Sequence, residues 1–258
     1  MTTRDTPWPD GTPCWADLGA PDVAKAREFY SDVFSWTVQP GGPETGGYSV
    51  AELNGRSVAG IGPKMGPPEA PTMWMTYLAT ADADATAAKI KGGGGQLVME
   101  PIEVMDAGRM AVAVDPAGAV FGVWQARAFL GAQIVNEPGA MVWNEQLSHD
   151  FEASKAFYAA IFGYEYSDMS TDRFRYATFK VGGRDVGGIG GYHSGLLADT
   201  PATWRVYFSA ADNDATTARA QAKGGSVVWE PEDHPSGRLS TVTDDQGAHF
   251  SILALTSG

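Results

Sequence analysis

The sequence predicts an α+β fold in which four βαβββ modules in tandem form two cupped mixed β-sheets, with helices on the outer faces. Three observations predict it. The second half of the chain repeats the first, each half repeats itself more weakly, and every quarter places a helical-period segment between strand-period segments.

The half-length repeat is read directly. Cys14-Trp15-Ala16-Asp17 aligns with Val142-Trp143-Asn144-Glu145, and Phe29-Tyr30 with Phe157-Tyr158. Tyr48 matches Tyr176, and GRSVAGIG (55–62) matches GRDVGGIG (183–190). KGGGGQLVMEP (91–101) matches KGGSVVWEP (223–231), and GRMAVAVDPAGAVF (108–121) matches GRLSTVTDDQGAHF (237–250). The expected domains are 10–128 and 138–256, joined by a linker over 129–137 that holds Pro138's neighbours Asn136 and Glu137.

Within the first half the elements follow in order. GTPCWADLGA alternates as a strand and leads to Asp22, an N-cap for a helix. Val23, Ala26, Phe29-Tyr30 and Val33-Phe34 give that helix one apolar face, copied in the second half by Phe151, Phe157-Tyr158 and Ile161-Phe162. Short strands separated by glycine-rich turns follow. WMTYLAT opens the next module, and Asp82 and Asp84 start a second helix that the glycines at 92–95 stop. LVME, MAVAVD and AVFGVWQ complete it. The second half repeats this module with WRVYFSA, Asp212, Asp214 and Gly224-Gly225.

Composition excludes several roles. Over 258 residues, 18 Lys and Arg against 31 Asp and Glu give a net charge of −13. Such a surface repels phosphate backbones and anionic lipid, so no nucleic-acid or membrane partner is expected. The single cysteine, Cys14, rules out an intrachain disulfide and a Cys-rich zinc site. The N-terminal stretch has no apolar signal region and no stretch reads as a membrane span, so a cytoplasmic protein, monomer or homodimer, is expected. Lys91 before Gly92–Gly95 is not a phosphate loop, because these glycines end a helix.

The FYSDVFSW and FYAAIFGY segments, with VDPAGAVFGVW and TDDQGAHFSIL, resemble the vicinal oxygen chelate superfamily of glyoxalases, bleomycin-resistance proteins and extradiol dioxygenases. The resemblance covers nearly the whole chain. It implies paired modules forming a concave sheet that holds a divalent metal on His and Glu. Carried over position by position, the first-strand ligands fall at Trp15 and Trp143. Those of the second modules fall at Met75 and Arg205, and the last-strand ligands at Gly122 and Ser251. None is His or Glu. All four histidines (His149, His193, His234 and His249) lie in the second half. No metal and no cofactor are therefore expected.

Alternation along strands then assigns the cup linings. Trp15, Trp143, Met75, Tyr77, Tyr207, Trp124 and Ser251 are the candidate substrate-binding residues, and Asp17, Glu145, His249 and Arg205 the candidate catalytic ones. Whether Tyr48 and Tyr176 face in is left open. Glycines on the strands are read as leaving room for a flat ligand between aromatic rings. Glu145 beside His249 is a usable acid/base pair, and Arg205 can hold an enolate or carboxylate. The expected protein is metal-free. It binds or tailors a flat hydrophobic natural product of aromatic-polyketide or antibiotic type, with the second cup as the working site. A metal-dependent lyase, isomerase or dioxygenase with unusual ligands, or an interaction protein with vestigial cups, are the alternatives.

Overall fold

The computed structural model describes residues 3–67, 69–172, 174–192 and 200–256. The first half runs β1 (Pro13–Ala20), α1 (Val23–Phe34), β2 (Thr37–Val38), β3 (Ser49–Leu53), β4 (Arg56–Pro63), β5 (Met73–Ala79), α2 (Ala83–Gly92), β6 (Gln96–Val104), β7 (Gly108–Val114) and β8 (Val120–Ala126). The second runs β9 (Met141–Ser148), α3 (Phe151–Phe162), β10 (Glu165–Asp168), β11 (Tyr176–Val181), β12 (Arg184–Gly191), β13 (Thr203–Ser209), α4 (Asn213–Ala222), β14 (Ser226–His234), β15 (Gly237–Thr243) and β16 (His249–Leu255). These are the four βαβββ modules that the sequence predicts.

Each half forms one eight-stranded mixed sheet, in the order β2-β3-β4-β1-β5-β8-β7-β6 and its copy β10-β11-β12-β9-β13-β16-β15-β14. The modules of a half join where their first strands pair antiparallel, β1 with β5 and β9 with β13. Among the described residues all four α-helices start on an aspartate whose side chain accepts a backbone N–H of the first turn: Asp22 from Lys25, Asp82 from Ala85, Asp150 from Ala153 and Asp212 from Ala215. Arg109 and Arg238, equivalent positions of the two halves, bind inside their own modules. Arg109 pairs with Asp84 and Glu103, and Arg238 with Asp214 and Asp233.

The helices cover the convex faces, and there the two halves meet crosswise. Phe29, Tyr30 and Phe34 of α1 share a core with Trp74 of β5, Phe208 of β13 and Phe250 of β16. Phe157, Tyr158 and Ile161 of α3 share another with Leu78, Phe121 and Val123 of the first sheet. Each such buried apolar side chain is worth roughly 1.5–3 kcal/mol, so neither half buries its own helices alone. With the convex faces joined, the two concave faces point away from each other. Among the described residues no helix is long and apolar enough to cross a membrane.

Candidate functional site in the second cup

Strand register places the candidate residues in two rows on each concave face. In the first cup one row is Trp15, Tyr77 and Gly122, from β1, β5 and β8. The next row holds Asp17 and Met75, with Val120 completing it on β8. In the second cup the rows are Trp143, Tyr207 and Ser251, then Glu145, Arg205 and His249. Every candidate site residue thus lies on the concave face, Trp124 included, two positions beyond Gly122 on β8. Cys14, of opposite parity, is buried, and burial pushes its thiol well above the usual range.

Tyr48 and Tyr176 also face in, and they change how the glycines read. A Cβ at Gly60 would lie 1.8 Å from the Tyr48 hydroxyl, and one at Gly188 would lie 2.0 Å from that of Tyr176. At Gly122 a Cβ would come within 2.1 Å of the Tyr77 ring. The space that glycine leaves on these strands is filled by the protein's own tyrosines, not kept for a ligand. The repeat of Tyr48 at Tyr176 was the available sequence signal.

The tyrosines organise a buried carboxylate in each cup. In the first, the Trp15 indole donates to the Tyr48 hydroxyl at 2.8 Å, and Tyr48 donates to Asp17 at 3.3 Å. Tyr77 donates to Asp17 as well. Burial outweighs these bonds and pushes the Asp17 carboxyl up to about 7. In the second cup Trp143 donates to Tyr176 at 2.9 Å, and the Tyr207 and Tyr176 hydroxyls both donate to Glu145. Glu145 is 8 % exposed.

The cups differ in access and charge. After β8 the chain returns across the first cup, and Phe129 sets its ring edge-on to Trp15, centroids 4.9 Å apart, and to Trp124 at 6.0 Å. Trp15 is left 4 % exposed. Trp143 keeps partial exposure and, among the described residues, has no ring against it. Arg205 stands where the first cup has Met75, and His249 where it has Val120.

Glu145 and His249 do not form the adjacent pair that the sequence suggests. They lie in one row two strands apart, with Arg205 between them, so Glu145 takes its hydrogen bonds from tyrosines instead. His249 is exposed at the sheet's rim, and partial burial and then the nearby Arg205 charge lower its pKa. Tyr192, which the sequence reading does not single out, feels both Arg205 and Glu145. His149 contacts the Thr200 carbonyl, His234 is the last residue of β14, and His193 lies outside the described residues.

A two-sheet βαβββ protein with outward-facing cups, each floored by a carboxylate, defines the class. The sequence profile of the Glyoxalase/Bleomycin resistance protein/Dioxygenase superfamily matches residues 15–123 and 142–252, and the chain belongs to that superfamily. It is 43% identical over 94% of both chains to CFP32 of Mycobacterium tuberculosis, provisionally named a glyoxylase. It is 36% identical to the anthracycline biosynthesis protein DnrV of Streptomyces peucetius, over 96% of this chain and 94% of that one. Among solved structures, the Mn(II)-bound glyoxalase from Novosphingobium aromaticivorans superposes with a TM-score of 0.64 at 16% identity, covering 96% of this chain and 86% of that one. That likeness concerns the fold.

The divalent metal implied by the superfamily does not fit the residues present. Tryptophan, methionine, arginine, glycine and serine occupy the carried-over positions, and the Tyr77 ring lies across Gly122. A guanidinium between Glu145 and His249 opposes a cation there. Among the described residues no three His, Cys, Asp or Glu side chains gather as a ligand set.

Proposed function

We propose that the second cup is the working site of a protein that acts without a bound metal on a flat, largely apolar natural product of aromatic-polyketide or antibiotic type. The observation that carries this reading is the buried Glu145 carboxylate, held by Tyr207 and Tyr176 on the floor of a cup whose tryptophan stays accessible. The names of DnrV and of its relative DauV, both anthracycline biosynthesis proteins, support the ligand class.

The chemistry follows from the floor. Trp143 offers a stacking surface, with roughly 0.5–1.5 kcal/mol beyond area burial. Two tyrosyl donors fix the Glu145 carboxylate, which can take a proton from an acidic C–H or O–H of the ligand and return it. The test is calorimetric titration with 1,8-dihydroxyanthraquinone and related hydroxyquinones, followed by product analysis, for the native chain and Glu145→Gln. Micromolar binding by both, with conversion by the native chain alone, is expected. Equal conversion by Glu145→Gln overturns the proton-transfer role, and absence of binding by the whole panel overturns the site.

A further inference from the structure

We propose that the second cup selects a planar aromatic ligand bearing an ionised oxygen, with its rings against Trp143 and the anionic oxygen at Arg205. This rests on the small-molecule reading above and names the ligand chemistry within it.

The first cup shows where an aromatic ring sits. Phe129 is held there by its own backbone, its N–H donating to Ala107 at 3.0 Å and its carbonyl accepting from the Trp124 indole at 3.0 Å. Its ring meets Trp15 at 87° and Trp124 at 77°, both edge-to-face. The homologous place in the second cup lies over Trp143, beside Leu253. The first cup thus carries a ring supplied by the chain, whereas among the described residues no ring packs on Trp143 in the second.

The second observation is charge. One row along the strands, ~6.7 Å away for two residues of strand rise, Met75 is replaced by Arg205. Among the described residues the Arg205 guanidinium has no hydrogen-bond or ion-pair partner. Glu145 lies opposite it in register, but its carboxylate is engaged by Tyr207 and Tyr176. The guanidinium is only partly buried, so solvent reaches it and a ligand can too, and its planar fork matches a carboxylate or a chelated enolate. His249, near enough to feel the Arg205 charge, can offer one ring N–H as a further donor. The overall charge of −13 repels anions at long range, so a local cation is what such a ligand requires.

The two features set a ligand axis along the strands, aromatic at the Trp143 row and anionic at the Arg205 row. The experiment titrates the full chain with 1-hydroxy-2-naphthoate and, separately, with its neutral methyl ester, by calorimetry. Native protein is expected to bind the acid at least tenfold more tightly than the ester. Arg205→Met, which installs the first cup's residue, is expected to bind both with the ester's affinity. Equal binding of acid and ester by the native chain, or an acid preference that survives Arg205→Met, overturns the proposal. Equal binding that Trp143→Ala abolishes would keep the small-molecule site while removing its anion selectivity. Binding of neither probe overturns this proposal, and the proposed function then stands or falls on the hydroxyquinone panel.

Discussion

The Tyr30 hydroxyl donates to Asp244, 214 residues away, at 3.0 Å, and Tyr158 does the same to Asp115 at 2.9 Å. Each tyrosine sits on the first helix of one half, and each aspartate in the turn before the last strand of the other. The tyrosines also accept the indole N–H of Trp74 and Trp204, at 2.8 Å each. The two most recognisable motifs of the repeat are therefore each other's partners, exchanged between halves.

Replacing Tyr30 by Phe leaves the Trp74 indole without an acceptor and removes one donor from Asp244, which retains the N–H groups of Gln246 and Ala248. The expected loss is about 1–3 kcal/mol. Tyr158→Phe should cost a similar amount, and the double variant should show their sum, because the pairs share no partner. Chemical denaturation measures this. A loss below ~0.5 kcal/mol for both single variants, in conflict with the buried-donor argument, would refute the interlock.

Asp17 gives the fold a pH dependence of defined sign. Its carboxyl is raised by burial to about 7 from an ordinary 3.8. Between those values the folded chain binds more protons at this site than the unfolded one, so its contribution to stability falls as pH rises through the window and is flat above it. Asp17→Asn removes that contribution and should be more stable than the native chain at pH 8 but not at pH 4. Thermal melts across pH 4–8 decide it, and parallel curves for the two proteins would rule it out.

Much of the architecture was legible because it depends on local pattern. The N-cap aspartates, the apolar faces of α1 and α3, and the inward parity of Trp15, Asp17, Trp143 and Glu145 are all set within a few residues. The contents of the cups were not legible. Gly60, Gly122 and Gly188 read as vacancies in one dimension, and only the pairing of neighbouring strands brings Tyr48, Tyr77 and Tyr176 onto them. Phe129 lies in a segment with no periodicity, and its position follows from where β8 ends. The separation of Glu145 from His249 follows from strand order, since β13 enters between β9 and β16.

Gly122 tests the filled-cup interpretation. Its counterpart Ser251 shares a hydrogen bond with Thr241 at 3.0 Å, so serine suits the strand itself. Gly122→Ser should nevertheless cost about 1–3 kcal/mol, because the new Cβ displaces the Tyr77 ring that holds Asp17. Urea unfolding measures the loss. A neutral result would mean that Tyr77 swings aside freely, and the first cup would then be adaptable.

Elemental analysis of protein purified without chelator should find no stoichiometric transition metal, since Arg205 opposes a cation between Glu145 and His249. One equivalent of zinc, iron, nickel or manganese would reverse that expectation. Loss of the metal on Glu145→Gln would then place it in the second cup.

Phe129 carries the asymmetry between the cups, and its removal should reverse it. Phe129→Ala takes a ring from Trp15 and Trp124. The ring is half-buried, so the expected loss, about 1–3 kcal/mol, lies below that of a full core truncation. The opened cup presents Trp15, Trp124 and Met75 but no cation. It should gain a site for the neutral naphthoate ester and none for the acid, so the ester's calorimetric stoichiometry rises from one to two while the acid's stays at one. Trp15→Ala in the native background should leave ligand binding within threefold, whereas Trp143→Ala should weaken it at least tenfold. Equal losses from the two tryptophan variants would mean that Phe129 does not keep the first cup closed, and that the two halves share the work.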